Sequence, residues 1–249
     1  RDACVPGALV VMPESAFWPY SYERDPVVRR DLDGLAASGC GVLFNGDHEA
    51  PEGDYNSAYL VAPQTAPSRY DKRHLVPFGE YVPLANVFAW VGKVARNAGD
   101  FQAADQLVLL PWRGERIGMA ICYEIAYPDE TAALTQQGAT LLATITNDAW
   151  YGDTAAPWQH LAAARFRAAE NRRVVLRAAI TGISAMIGPD GSVRSELGVS
   201  DEGTLRVIAF GRRDLTLYAR APWLPIALAA GFTLFVIIAS SLERRRSPQ

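Results

Sequence analysis

Cys122 is the residue of this sequence best placed to act as a nucleophile. It follows the apolar run 117–121, and a helix start at Pro128-Asp129-Glu130 comes a few residues later. A strand, an exposed turn and a helix in this order lift a thiol out of a sheet and aim a helix N-terminus at it. The alternative is a buried structural cysteine, because free cysteines are among the most buried residues. The other polar residues of the chain decide between the two.

Polar candidates follow two further strand patterns, and another lies in a loop. Glu14 follows the apolar segment 8–12, and Asn147-Asp148 follow the segment 139–145. Open α/β sheets place site residues at such strand ends, although Glu14 alone could be a solvated loop acid. Lys72 lies in the dense polar tract 70–83, either a solvated loop or a functional one. A thiol near a carboxylate and an ammonium can be deprotonated by the first and stabilised by the second.

Composition excludes several classes of function. The chain has 249 residues, enough for one large domain or two small ones. Its net charge is −3 with acids and bases well mixed, so we expect no nucleic-acid partner. The three cysteines and three histidines show no metal-ligand spacing, so we expect no metal site. Cys4 and Cys40 could pair or sit apart in the core, and spacing does not decide between these.

The elements that must position these residues alternate along the chain. Asp25 and Pro26 are typical of a helix start, and Gly39 of its end. The predicted helices are 25–38, 129–137 and 160–172. The predicted strands are 8–12, 41–44, 55–62, 107–110, 115–122, 139–145, 174–178 and 183–187. Strands that alternate with helices indicate an α/β layered sandwich.

Residues 221–241 contain no charged residue and are about long enough to cross a bilayer as a helix. A buried core helix is the alternative, but such helices rarely lack a polar face over this length. The arginines at 244–246 predict a cytoplasmic tail, which places the residues before Ala221 on the outer side of the membrane. We therefore predict a domain over 1–219 and a transmembrane helix with a basic tail over 220–249.

Residues 84–101 combine apolar and aromatic side chains with Lys93 and Arg96. On a short helix they would either pack in the core or form a lid that rests on lipid headgroups. The sequence favours neither alternative.

Glutamate, lysine and cysteine in this chain order resemble the carbon–nitrogen hydrolase (nitrilase) superfamily. Within it, four motifs resemble the apolipoprotein N-acyltransferase family: MPESAFW around Glu14, YDKRHLVPFGEYVP around Lys72, ICYE around Cys122 and TNDAWYG from Asn147. The tract WQHLAAARFRAAENRR and the apolar C-terminal helix are similar as well. The resemblance runs from about Val10 to the end of the chain, and the tract around Lys72 is its most specific part.

The resemblance implies an α-β-β-α nitrilase-like domain on the periplasmic side of a bacterial inner membrane, followed by one transmembrane helix. It also implies that transmembrane helices and the first strand of the domain precede this chain in the whole protein. It implies no cofactor.

By the same resemblance, Glu14 is the general base, Lys72 stabilises the oxyanion and Cys122 is the nucleophile. The other implied residues are two supporting acids and two aromatics that shape an acyl or lipid pocket: Glu80, Glu124, Tyr123 and Trp150. The implied reaction moves an acyl chain from a phospholipid to the N-terminal amine of a diacylglyceryl-cysteine apolipoprotein, through a Cys122 thioester. We expect Lys72→Ala to be nearly silent for folding and severe for turnover.

Two other functions use the same scaffold. A membrane-anchored nitrilase-type amidase would hydrolyse a small amide with the same three residues. The C-terminal helix and the tract around Lys72 argue against it. A non-catalytic membrane protein on this scaffold would be favoured if one of the three residues were absent, and all three are present.

Overall fold

The computed structural model describes residues 3–83 and 100–246, with side chains described as far as Ser241. Its strands form two sheets. The first has the order β1-β2-β3-β4 and consists of Leu9–Val11, Gly41–Ala50, Gly53–Val61 and Ser68–Asp71. The second has the order β10-β9-β8-β7-β6-β5, where β5 to β10 are Leu109–Trp112, Glu115–Ile121, Leu141–Asn147, Val175–Ile180, Ser184–Ile187 and Val193–Leu197. Of the predicted segment 84–101, residues 84–99 lie outside the described part.

The described helices are α1 to α5: Pro26–Ala37, Pro128–Gln136, Ala156–Asn171, Leu217–Arg220 and Leu224–Arg246. The start of α1 is as predicted, since the Asp25 carboxylate accepts hydrogen bonds from the amides of Val27 and Val28. The helix predicted over 160–172 begins one turn earlier, with Pro157 in its first turn. Proline is favoured there because its missing N–H would have no partner in the helix.

The two sheets pack face to face between helices. Leu43 and Leu60 of the first sheet share a buried cluster with Ile117 of the second. On the outer face of the first sheet, Leu32 of α1 packs with Val42. Neighbouring residues of β2 point to opposite faces, so a strand buried on both faces is continuously apolar. Together with the packing of α2 and α3 on the second sheet, this confirms the α-β-β-α prediction.

One strand is much longer than predicted. The strand expected over 41–44 continues to Ala50, because Asn45 pairs with Ala58 and Asp47 with Asn56 across the β2–β3 hairpin. The polar residues after Phe44 predict that this strand ends there. A strand paired in a hairpin keeps its backbone hydrogen bonds even where its side chains are polar.

Cys4 and Cys40 form a disulfide bond, with their Cα atoms 5.5 Å apart. It ties the chain before β1 to the end of the α1–β2 connection. Cys122 is the free thiol of the protein.

Helix α5 contains the window Leu224–Ser241, which is long and apolar enough to cross a membrane by length and composition. None of this window is buried against the other described residues. A buried core helix is therefore excluded, and α5 is consistent with the single transmembrane helix predicted here.

Candidate active site

The parallel strands carry their polar residues to one edge of the sandwich. β1 and β2 are parallel, as are β6, β7 and β8. Glu14 follows β1, Cys122 follows β6, and Lys72 follows β4. The Lys72 ammonium lies 3.9 Å from Oε1 of Glu14 and 2.7 Å from Oε1 of Glu80. The structure thus brings the predicted residues into one charged cluster.

Glu14 is fixed at both carboxylate oxygens. Its Oε1 accepts a hydrogen bond of 3.1 Å from the Asn56 amide, and its Oε2 accepts one of 2.9 Å from the backbone N–H of Asn147. Asn56 also donates to Oε1 of Glu80, at 2.7 Å. One amide therefore holds both carboxylates that flank Lys72.

Asn56 was missed by the sequence analysis. It lies on β3, inside the predicted strand 55–62, and only its amide at the start of a buried stretch of strand marks it. A polar side chain on a buried strand is a signal of a site or of a buried hydrogen-bond network.

Lys72 is only 1 % exposed, yet it is a cation. Burial lowers the pKa of its ammonium, but the negative charges of Glu14 and Glu80 raise that pKa by more, so the net shift is upward. The second oxygen of Glu80 accepts from the backbone N–H of Val76 at 2.8 Å, which fixes the loop that carries it. An ammonium held in this way can donate to an oxyanion without first being ordered.

The Cys122 thiol is protonated at neutral pH. Burial and the charge of Glu14 raise its pKa, Lys72 and Thr146 lower it, and the net value is about 12. A thiol becomes a strong nucleophile only as the thiolate, so attack at neutral pH requires a base. The carboxylate of Glu14 interacts with this thiol and is fixed in place, and its role as that base stays a prediction.

Glu124 joins the loop of Lys72 to the turn of Cys122. Its buried carboxylate accepts from the backbone N–H groups of Ile121, at 2.7 Å, and of Arg73 and His74, at 2.7 and 3.1 Å. The Tyr70 hydroxyl is a fourth donor, at 3.0 Å. Burial raises the pKa of Glu124, whereas the three backbone donors lower it. The supporting role predicted for this acid is therefore that of a clamp between two parts of the site.

We expect Glu124→Gln to destabilise the fold by about 1–3 kcal/mol, because an amide turns one accepting atom into a donor that faces buried N–H groups. Thermal unfolding of the purified protein measures this, with the exposed Glu52→Gln as control. A melting temperature equal to that of the wild type would show that the clamp contributes nothing.

The two predicted pocket aromatics lie on short 3₁₀ turns after β6 and β7. Tyr123 is 48 % exposed and Trp150 is 80 % exposed. Phe78, in the loop of Lys72, is 62 % exposed. The rings lie at the surface on three segments that each follow a site residue, and their part in a substrate pocket stays a prediction.

Metal ligands are not grouped at this site. Over residues 3–83 and 100–241, no three or more His, Cys, Asp or Glu side chains form a set that could hold a metal ion. The cluster presents carboxylates, an ammonium and a thiol.

A second buried cluster, behind Cys122, was also missed. Asp148 contacts His160 and Arg177, and His160 reaches the backbone carbonyl of Cys122. Asp148 was singled out only as a residue after a strand. His160 and Arg177 belong to amphipathic or apolar segments, where nothing in the local pattern indicates that they meet.

Comparison with known proteins agrees with this geometry. Residues 7–209 match the model of the carbon-nitrogen hydrolase family. The apolipoprotein N-acyltransferase of Ralstonia nicotianae is 40% identical over 97% of this chain and 47% of its own length. That of Geobacter metallireducens is 39% identical over 82% of this chain and 41% of its own length. The chain thus spans about half the length of the curated relatives it matches, and the resemblance to them is confirmed.

Solved structures show the same fold. A mutant of the amidase from Nesterenkonia sp. AN1, with acrylamide added at the active-site cysteine, superposes with a TM-score of 0.57 at 24% identity. The match covers 78% of this chain and 77% of that one. Saccharomyces cerevisiae Nit3 superposes with a TM-score of 0.60 at 18% identity, over 78% of this chain and 74% of that one. Because the family model matches most of this chain, residues 7–209, the chain belongs to the carbon-nitrogen hydrolase family.

Proposed function

We propose that this chain is the catalytic part of an apolipoprotein N-acyltransferase, a ping-pong enzyme with Cys122 as nucleophile. The observation that carries the proposal is the cluster of Glu14, Lys72 and Cys122 in a chain similar to curated N-acyltransferases over most of its length. The acyl donor is a phospholipid, and the acceptor is the free amine of a diacylglyceryl-cysteine at the N-terminus of an apolipoprotein.

In the first step, Glu14 takes the Cys122 proton as the sulfur attacks the ester carbonyl carbon of the phospholipid. The carbonyl oxygen becomes an oxyanion, to which Lys72 donates. The intermediate then collapses: the carbon–oxygen bond of the ester breaks, the leaving oxygen takes the proton from Glu14, and a lysophospholipid departs. A thioester remains on Cys122.

In the second step, the lipoprotein amine attacks the thioester carbonyl and Glu14 accepts the amine proton. The carbon–sulfur bond then breaks and the sulfur takes that proton back. The products are the amide and the resting thiol, so the enzyme is regenerated without a cofactor.

Three features support the proposed location. The window Leu224–Ser241 of α5 is apolar, exposed and long enough to span a bilayer, and the arginines at 244–246 lie beyond it at the end of the helix. The Cys4–Cys40 disulfide suits an oxidising compartment. We place residues 1–219 on the periplasmic side of a bacterial inner membrane and residues 220–249 in the membrane and the cytoplasm. Two lipid substrates require a site held at the bilayer, and this arrangement supplies one.

A membrane-anchored amidase is the second candidate, because the fold it shares with the Nesterenkonia amidase would serve hydrolysis equally well. The two candidates differ in the acceptor. Water would release the acyl group of an amidase at once, whereas a transferase must keep its thioester until an amine arrives.

Intact-mass analysis of the protein in phospholipid-containing micelles tests both. We expect one acyl adduct that hydroxylamine removes, that is absent in Cys122→Ala, and that persists until a diacylglyceryl-cysteine peptide is added. Absence of the adduct would contradict acyl transfer from phospholipid, and an adduct lost to water before the peptide is added would favour the amidase.

A further inference from the structure

A buried ion network lies behind the nucleophile. The side chains of Asp148 and Arg177 are fully buried, and that of His160 is 4 % exposed. Arg177 donates to Oδ2 of Asp148 at 2.7 Å, and Thr146 donates to Oδ1 at 2.8 Å. His160 Nδ1 lies 3.0 Å from the same Oδ1, and its Nε2 lies 3.0 Å from the carbonyl oxygen of Cys122. The proposed reaction uses none of these groups directly.

Both ring nitrogens of His160 face oxygen atoms that accept. A peptide carbonyl can only accept, so Nε2 must carry the hydrogen of that bond. Burial raises the pKa of Asp148, but the hydrogen bond from His160 and the charge of Arg177 lower it to a net value below the ordinary one. The Nδ1 atom faces this carboxylate at 3.0 Å, so the ring is held between Asp148 and the Cys122 carbonyl.

The carbonyl that receives the Nε2 hydrogen bond belongs to a residue in an unfavourable conformation. Cys122 has φ of +54°, in the left-handed region. This conformation is unfavourable for a residue other than glycine, so surrounding contacts must hold it. Glu124 holds the preceding residue through the N–H of Ile121. His160 holds the following carbonyl, so the turn is fixed on both sides of the thiol.

We propose that Asp148, His160 and Arg177 form a positioning unit that holds the Cys122 turn in the conformation that presents the thiol to Glu14 and Lys72. Arg177 fixes Asp148, Asp148 orients the ring of His160, and the ring donates to the Cys122 carbonyl. The effect of this positioning unit on turnover rests on the proposed acyl transfer, whereas its effect on the reactivity of the Cys122 thiol does not.

The test compares three variants of the full chain. His160→Phe removes both ring nitrogens, and His160→Gln restores one donor to the Cys122 carbonyl. His48→Phe is the matched control, because His48 also contacts a carboxylate, that of Glu23 at 3.0 Å, but lies away from the site.

The first readout is the pH midpoint of Cys122 alkylation by iodoacetamide, which needs no lipid. The groups that interact with this thiol are Glu14, Lys72, Glu80, Thr146, Tyr151 and Arg177. Release of the turn would free the thiol from burial and from Glu14. We therefore expect the midpoint in His160→Phe to fall by at least about one unit toward an ordinary cysteine value.

The second readout is formation of the acyl-enzyme, which we expect to fall by about 10- to 100-fold in His160→Phe, since misplacement of a reacting group by about 1 Å costs this much. His160→Gln should recover most of both properties, and His48→Phe should match the wild type. A midpoint shift without any acyl-enzyme in the wild type would keep the positioning unit and reject the proposed function.

An unchanged midpoint in a folded His160→Phe would overturn the proposal. Should that variant not fold, nitrogen-15 spectra of histidine-labelled wild-type protein decide. A hydrogen on Nε2 of His160, assigned by loss of its signal in His160→Gln, is the expected result, and a bare Nε2 would overturn the proposal.

Discussion

Replacement of Lys72 by methionine is expected to lower acyl-enzyme formation by about 10²–10³-fold, the usual cost of removing one oxyanion donor. The same change should also destabilise the fold. Lys72 is buried between Glu14 and Glu80, and the loss of one partner from a buried ion cluster typically costs about 3–5 kcal/mol. This differs from the expectation drawn from the sequence, that loss of Lys72 is nearly silent for folding, because the structure buries Lys72 in an ion cluster.

Two further variants separate catalysis from stability. Lys72→Met combined with Glu80→Gln removes one of the two stranded charges, so it should regain part of the stability but none of the activity. Arg69→Met is the matched control. Arg69 lies three residues earlier on β4 in a partly exposed pair with Asp71, and such a pair contributes about 1 kcal/mol or less.

Chemical denaturation and the rate of acyl-adduct formation together test this prediction. A Lys72→Met variant as stable as Arg69→Met would show that the buried ion cluster contributes less to the free energy of unfolding than we expect. Wild-type rates of acylation in the same variant would remove Lys72 from the oxyanion site.

The proposed catalytic residues could be found from the sequence because their signals are local. Glu14 and Cys122 each end an apolar strand, and parallel strands bring their carboxyl ends to one edge. Lys72 was found through the specific tract around it. The packing of each layer also follows from local patterns, as the Asp25 cap and the buried face of α1 show.

The residues that hold the site could not be found in this way. His160 meets Cys122 across 38 positions of sequence, and this contact depends on how α3 packs against the turn after β6. Asn56 reaches Glu14 across 42 positions, through the register of the β2–β3 hairpin. The sequence predicts Glu124 as a supporting acid of the site. Its four donors converge on it only when the loop of Lys72 packs over the turn of Cys122. Such contacts depend on tertiary packing, which no single-strand pattern encodes.

Glu14→Gln should give the most informative pH dependence. At pH 7 we expect acyl-enzyme formation to fall by about 10²–10⁴-fold, the usual contribution of a positioned general base. The negative charge of Glu14 raises the pKa of the Cys122 thiol, whose value is about 12 with that charge present. Removal of that negative charge must therefore lower the thiol pKa. The Cys122 thiolate consequently forms at a lower pH in Glu14→Gln than in the wild type.

The rate of the variant should then rise about tenfold per pH unit until the lowered thiol pKa is reached, because only the thiolate fraction reacts. The wild type does not depend on that fraction, since Glu14 removes the proton during attack. The deficit of Glu14→Gln should accordingly shrink from about pH 6 to about pH 10 when acyl-adduct formation is followed in both proteins.

Glu23→Gln provides the control. Like Glu14, Glu23 is a hydrogen-bonded carboxylate, in this case with Tyr59 and His48 as partners, but it lies away from the thiol. Its rate should match that of the wild type at every pH. A deficit of Glu14→Gln that stays constant over this pH range would assign Glu14 a role in holding Lys72 and Asn147 rather than in proton transfer. A deficit that shrinks as the thiolate forms is the behaviour that a missing base alone produces.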